Sequence, residues 1–177
     1  PILDIYTVVS QAEPLSDIVP YKFPSSLRRH YEKLARFPKG FLVLGDAICS
    51  FNPTYGQGMT SAAMQAAELD TLLAQRQAEL APHFFKRVTK VVDIPWQLAV
   101  GEDFRFPETT GPKPAGIDLL NRYVAAVHRA TLVDAVVGKT FIEVLNLLAP
   151  PSSLMTPGMM LRVWQANRRL AQQTGQN

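Results

Sequence analysis

The chain has 177 residues, 47% of them hydrophobic and 19% charged, which suffices for one domain with a sizeable core and excludes a disordered chain. Eighteen Lys and Arg against fifteen Asp and Glu leave a net charge of +3, and the basic residues are spread along the chain, so no nucleic acid partner is called for. The single cysteine, Cys49, excludes an intrachain disulfide and a cysteine-based zinc cluster, and His30, His83 and His128 lack metal-ligand spacing.

The first residues, Pro1-Ile2-Leu3-Asp4, carry no initiator Met, no basic region and no signal-type apolar run. The chain is therefore expected to begin inside a longer polypeptide. The single cysteine leads to the expectation of a reducing, cytoplasmic setting. Over residues 1–13, Ile2, Ile5, Tyr6 and Val9 fall at helical spacing until Pro14. Pro20 and Pro24 around Tyr21-Lys22-Phe23 suggest an extended piece. Ser25-Ser26 before Leu27 to Leu34 reads as a capped short helix or turn. The basic group Arg28, Arg29, His30, Lys33, Arg36 and Lys39 reads as a solvated helix face.

Pro38-Lys39-Gly40 turns into Phe41-Leu42-Val43-Leu44, a predicted strand that is apolar on both faces and hence expected to be buried. After a loop, residues 58–80 read as a long helix with Ala62, Ala66, Leu69 and Leu73 on one face and Gln65, Glu68, Gln75 and Arg76 elsewhere. Pro82 opens a further helix through Phe84, Phe85, Val88, Val91 and Val92, which Pro95 is expected to break. Residues 101–116 hold three Gly and three Pro and read as loop.

The remainder reads as helical. Ile117, Leu120, Val124 and Val127 form one stripe, and Val133, Val137, Phe141, Val144 and Leu148 form another that ends at Pro150-Pro151. Thr156-Pro157 caps a last helix carrying Met160, Leu161 and Trp164. Asp134, Lys139 and Glu143 argue against a membrane span over 131–149. The stripes are core-like, with a lipid-facing or partner-facing surface as the second reading. The expected fold is thus mostly α with one or two short strands. A single strand is not a sheet, so the other strands are expected upstream.

The chemistry concentrates in Gly45-Asp46-Ala47-Ile48-Cys49-Ser50-Phe51-Asn52-Pro53-Thr54-Tyr55-Gly56-Gln57-Gly58-Met59. Asp46 is an acceptor-only carboxylate suited to sugar or polyol hydroxyls. Gly45 permits close backbone approach. Gly56-Gln57-Gly58 leaves free N–H groups at a helix start, which suits an anion or an electron-rich carbonyl. Pro53 fixes the loop, and Tyr55 or Phe51 can pack on a planar ring. Gly56-x-Gly58-x-x-Ser61 is no dinucleotide fingerprint: the third Gly is Ser, and eleven residues separate it from residue 44.

This segment, Gly45-Asp46-Ala47 through Pro53-x-x-Gly56-Gln57-Gly58-Met59, resembles the second FAD-binding motif of single-component flavoprotein monooxygenases, the group of aromatic hydroxylases and squalene- and polyether-type epoxidases. Cys49 to Pro53, with Arg29-His30-Tyr31-Glu32 upstream, is most similar to the epoxidase-like branch. The resemblance covers about residues 21–80. It implies the C-terminal portion of an α/β, glutathione-reductase-like FAD-binding fold plus a helical C-terminal region. Residues 1–40 would end the substrate-side region, 41–80 would carry the motif, and 81–177 would be the helical region. It further implies that Asp46 holds the ribityl and pyrophosphate side of FAD and that Pro53 lies by the isoalloxazine. Gly56, Gln57, Gly58 and Met59 would present amides to its pyrimidine edge, with Gly45 and Ala47 completing the turn. NAD(P)H would be the reductant, O2 the oxidant and an apolar small molecule the substrate, with peripheral membrane contact by the C-terminal helices as a further expectation.

The family's first motif, Gly-x-Gly-x-x-Gly, and its middle Asp-Gly motif are absent from this sequence. The chain alone is therefore expected to hold FAD weakly and to be inactive. A flavin-dependent reductase of unsaturated or prenyl substrates, or a helical interaction module without activity, are the alternative readings. No catalytic side chain is assigned. Cys49, where the family often has His, reads as a small, partly buried thiol. Trp96, Phe104 and Phe106 read as core before pocket lining, Glu102-Asp103 as a solvated loop pair, and His30 and His128 as surface residues.

Overall fold

Helices dominate the chain, as its apolar periodicity predicts. A computed structural model describes residues 4–23, 25–76 and 78–174. In chain order the elements are α1 (Asp4–Gln11), β1 (Leu27–Arg28), β2 (Cys49–Ser50), α2 (Gly58–Ala74), α3 (Leu80–Asp103), α4 (Ile117–Thr131), α5 (Ala135–Leu145) and α6 (Pro157–Thr174). Short 3-10 turns lie at Tyr31–Lys33, Gly45–Ala47, Pro53–Tyr55 and Pro151–Met155. β1 and β2 pair antiparallel, with Leu27 opposite Ser50 and Arg28 opposite Cys49. Among the described residues, no helix is long and apolar enough to cross a membrane.

Two apolar cores organise the chain. In the first, α2 packs on α3. Phe84, Val88, Val92, Pro95 and Ala99 make one buried stripe along α3 and meet Cys49, Phe51 and Leu72. Tyr31 and Phe37 close it over Phe85, with ring centroids 5.2 and 4.8 Å away. In the second, Val127 and Ala130 of α4 and Val137 of α5 meet Met159, Val163 and Ala166 of α6. Asn167 ties α6 to α4 by donating from Nδ2 to the Ala126 carbonyl at 2.8 Å.

Several sequence expectations are corrected. Residues 41–44 form no strand, and Phe41 and Leu44 are exposed; a lone extended segment has no neighbour to satisfy its backbone groups. Of the short helix or turn expected over 25–34, the turn forms, as a 3-10 turn at Tyr31–Lys33, and β1 precedes it. Arg28, read as solvated, has a side chain only 9% exposed and paired to Asp93 at 2.6 Å. The helix predicted over 58–80 stops at Ala74, because Arg76 and Glu79 both take positive φ. Its fully buried residues are Ser61, Gln65 and Leu72; of the predicted face, Leu69 packs on the first core while Ala66 and Leu73 are exposed.

Pro95 does not break α3, which runs on through residues predicted as loop to Asp103. The missing amide costs about 3 kcal/mol, and burying Val92, Pro95 and Ala99 on one face offsets it at roughly 1.5–3 kcal/mol per large side chain. On α6, Met160, Leu161 and Trp164 face outward, while Met159, Val163 and Ala166 are buried. Leu148 lies beyond α5 and is exposed. That helix ends before the prolines, with Leu147 at φ 59° and the Leu148 amide donating to the Glu143 carbonyl at 2.8 Å. α1 forms as predicted, but Ile5, Tyr6 and Val9 are all exposed. Ile2 and Pro24 lie outside the described residues.

Two caps hold the second core. Thr156 accepts from the Met159 amide through Oγ1 at 3.3 Å, as its Thr-Pro pair predicts. Asp134 accepts the Val136 and Val137 amides at 2.9 and 3.1 Å and pairs with Arg162 at 2.9 Å. The Val137 amide first, then Arg162 and the Val136 amide, hold the Asp134 carboxyl below its usual value. Asp134→Ala is expected to cost about 1 kcal/mol, read as a lower urea midpoint. Because the folded pKa is depressed, this contribution is present above the unfolded aspartate value of about 4 and is lost as pH falls through the lower folded value. Wild type and variant should therefore converge in strong acid.

Candidate functional site

The Gly45–Met59 segment starts with a turn that two buried polar side chains hold in place. Gly45 sits at φ +68°, and an added Cβ would lie 3.7 Å from the Ala62 Cβ. Its amide donates to Gln65 Oε1 at 2.8 Å, while Gln65 Nε2 donates to Ser61 Oγ at 3.2 Å. Gln65 is fully buried. Apolar periodicity assigns it to the outer side of α2; the spacing Ser61, Gln65, Leu72 was the available signal. A buried amide is stable here because the turn's N–H and the Ser61 hydroxyl satisfy both its ends.

This arrangement leaves the Asp46 side chain exposed, with Oδ1 3.9 Å from where a Gly58 Cβ would stand. The carboxylate therefore borders the first turn of α2, whose leading N–H groups have no intrahelical acceptor. Ala47 is exposed in the same turn, and Met59 is exposed just beyond the helix start.

The second half of the segment is an Asn-capped 3-10 turn. Pro53 opens it, the Thr54 amide donates to Asn52 Oδ1 at 3.1 Å, and Gly56 closes it at φ +67°. Nothing lies within 4 Å of an added Gly56 Cβ, so this glycine serves backbone conformation and leaves open space before it. Asp103 anchors the turn from the end of α3: its Oδ1 accepts from the Tyr55 hydroxyl at 2.8 Å and from Asn52 Nδ2 at 3.3 Å. Burial, and then this bond, push the Tyr55 phenol above its usual value. Asp103 is thus no solvated loop residue, and sequence adjacency to Glu102 concealed its reach across 48 residues. Phe51, a candidate for ring packing, is buried in the first core instead.

Gln57 is the N-cap residue of α2 and is buried. Its Nε2 donates to the Leu145 carbonyl at 3.2 Å, one of the end carbonyls of α5, across 88 residues. A single side chain thereby joins the segment to the second core. Its Oε1 is the one buried side-chain polar atom without a partner among the described residues.

Beside Gln57 and Tyr55 lies a cleft of about 590 Å3 between α3, α4, α5 and the 151–155 turn. Its wall is largely apolar, from Leu98, Leu120, Val124, Phe141, Leu154 and Met155. None of Trp96, Phe104 and Phe106 lines it: Trp96 packs on the first core, and Phe106 is exposed with the Arg105 guanidinium 6.0 Å from its centroid. His128 borders the cleft, its ring 4.8 Å from that of Phe141, whereas His30 pairs with Glu32 at 2.7 Å. No group of three or more potential metal ligands occurs among the described residues.

Cys49 is 1% exposed. Burial pushes its thiol up to about 12, Arg28 opposing and Asp46 adding to the shift. Alkylation by iodoacetamide at pH 8 is expected to be at least ~100-fold slower in the native protein than after unfolding, since the thiolate is the reacting form. Rapid labelling of the native protein would contradict this burial.

Comparison with known proteins is sparse. No family model matches the chain. It is 31% identical over 180 aligned positions to Protein Rv3254 of Mycobacterium tuberculosis (strain ATCC 25618 / H37Rv), covering 91% of this chain. The chain spans about a third of that relative's length, 36%.

Proposed function

We propose that Gly45–Met59 is the flavin-and-ribityl half of an FAD site and that the protein carrying it is an FAD-dependent oxidoreductase, a monooxygenase acting on an apolar substrate. The observation that carries this reading is the exposed Asp46 carboxylate beside the open first turn of α2. It joins a polyol acceptor to a group of amide donors, and one segment with the motif's residue order supplies both. The residues present fit the flavin half of the group. Asp46 accepts hydrogen bonds from sugar-chain hydroxyls. The amides and dipole of α2 favour negative charge at a ring edge placed before them. Gly56, with open space before it, lets a planar ring approach the backbone, and Pro53 and Asp103 keep that turn rigid. The sequence holds no Gly-x-Gly-x-x-Gly for the adenine half, so the proposed site is completed by residues outside this chain.

When bound, FAD would supply the redox chemistry, with NAD(P)H and a proton as the reductant and O2 giving one oxygen atom to the substrate and the other to water. The chain's own part is to bind, orient and exclude water, and the resemblance assigns no acid or base side chain. The test is NAD(P)H oxidation by the full-length protein with oxygen uptake followed in parallel. Coupled consumption is expected. Oxidation without oxygen uptake would overturn oxygen transfer and leave a flavin-dependent reductase.

A further inference from the structure

We propose that the cleft between the Pro53–Tyr55 turn, α3, α4 and α5 is a binding site for an uncharged, largely apolar small molecule bearing one hydrogen-bond donor, and that Gln57 Oε1 receives that donor. The proposal goes beyond the flavin reading and does not depend on it. Three observations carry it. First, the volume of about 590 Å3 and the apolar wall match sites that bury small organic ligands. Second, the charged pair in the wall, Glu102 and Arg105, is closed on itself by an ion pair, so the wall asks for no ionic headgroup.

Third, Gln57 lines the cleft and its amide oxygen is buried without a partner. Its orientation is fixed: the Leu145 carbonyl accepts from Nε2, and rotating the amide would set two acceptors against each other. A buried acceptor left unpaired is costly, and no described residue donates to it. A ligand hydroxyl or N–H supplies one. The remaining apolar surface of the cleft then selects what is attached to that donor.

The test uses two probes of similar shape, 2-naphthol, which carries a hydroxyl, and 2-methoxynaphthalene, which does not. Their dissociation constants with the full-length protein are measured by equilibrium dialysis, with and without added FAD. We expect 2-naphthol to bind about tenfold more tightly, the size of one neutral hydrogen bond, whether or not FAD is added. Gln57→Met should bring the ratio near unity while 2-methoxynaphthalene still binds. Val124→Trp, which fills the cleft from α4, should abolish binding of both, with thermal melting verifying the fold of each variant. Equal binding of the two probes by the wild type, as a buried water on Oε1 would give, overturns the role of Gln57. Unchanged binding by a folded Val124→Trp variant, or no binding of either probe, overturns the site. These readouts are independent of oxygen uptake, so failure here and failure of the monooxygenase reading are told apart.

Discussion

Phe84→Ala is expected to destabilise the protein by about 3–5 kcal/mol. Phe84 is 0% exposed, sits edge-on to Phe85 with centroids 5.6 Å apart, and lies where α3 packs against α2 and the Cys49–Phe51 segment. Truncation removes its burial and leaves a cavity that helices on both sides cannot fill without breaking their own contacts. Domains of this size retain only ~5–15 kcal/mol in total, so the urea midpoint should fall steeply. Phe106→Ala is the control: that ring is 57% exposed, and its loss should stay within ~0.5 kcal/mol. Equal shifts for the two variants would contradict the placement of the first core.

Asp46→Ala is expected to weaken FAD retention by the full-length protein by about 10- to 100-fold, the worth of one hydrogen bond to a charged group. The same variant should melt within ~0.5 kcal/mol of wild type, because no described residue forms a hydrogen bond or ion pair with the Asp46 carboxylate. That separation makes the experiment specific. Gln65→Leu, which strips the Gly45 amide of its buried acceptor, should by contrast lower stability and flavin retention together. Flavin retention unaffected by Asp46→Ala would remove that carboxylate from the site.

Much of the architecture was legible because helices announce themselves by period. α4 and α5 follow their apolar spacing through Val127, Val137 and Val144, and Thr156-Pro157 starts α6 where it should. Departures arose where tertiary demands outweigh local preference. Pro95 signals a break, but the face it shares with Val92 and Ala99 is buried. Phe41 to Leu44 signals a buried strand, which needs neighbouring strands that the described residues do not offer. On α6 the sequence offers apolar residues on both faces, and only packing against Val127 and Val137 selects Met159, Val163 and Ala166.

The site shows the same division. Its proposed residues form one contiguous run from Gly45 to Met59. The residues that hold the run in shape were hidden, because Gln65, Gln57 and Asp103 are polar and periodicity assigns polar residues to water. Each is set by a specific unsatisfied partner: the Gly45 amide, the Leu145 carbonyl and the Tyr55 hydroxyl. Cys49 reads from the sequence as a partly buried thiol, and the structure buries it almost completely, at 1% exposure.

The most direct measurement is the visible absorption spectrum of the purified full-length protein, followed by quantitation of the nucleotide released on denaturation. The expected result is the two-band spectrum of oxidised flavin and stoichiometric FAD. A colourless protein that takes up no flavin from saturating FAD would contradict the assignment of Gly45–Met59 as a flavin half-site.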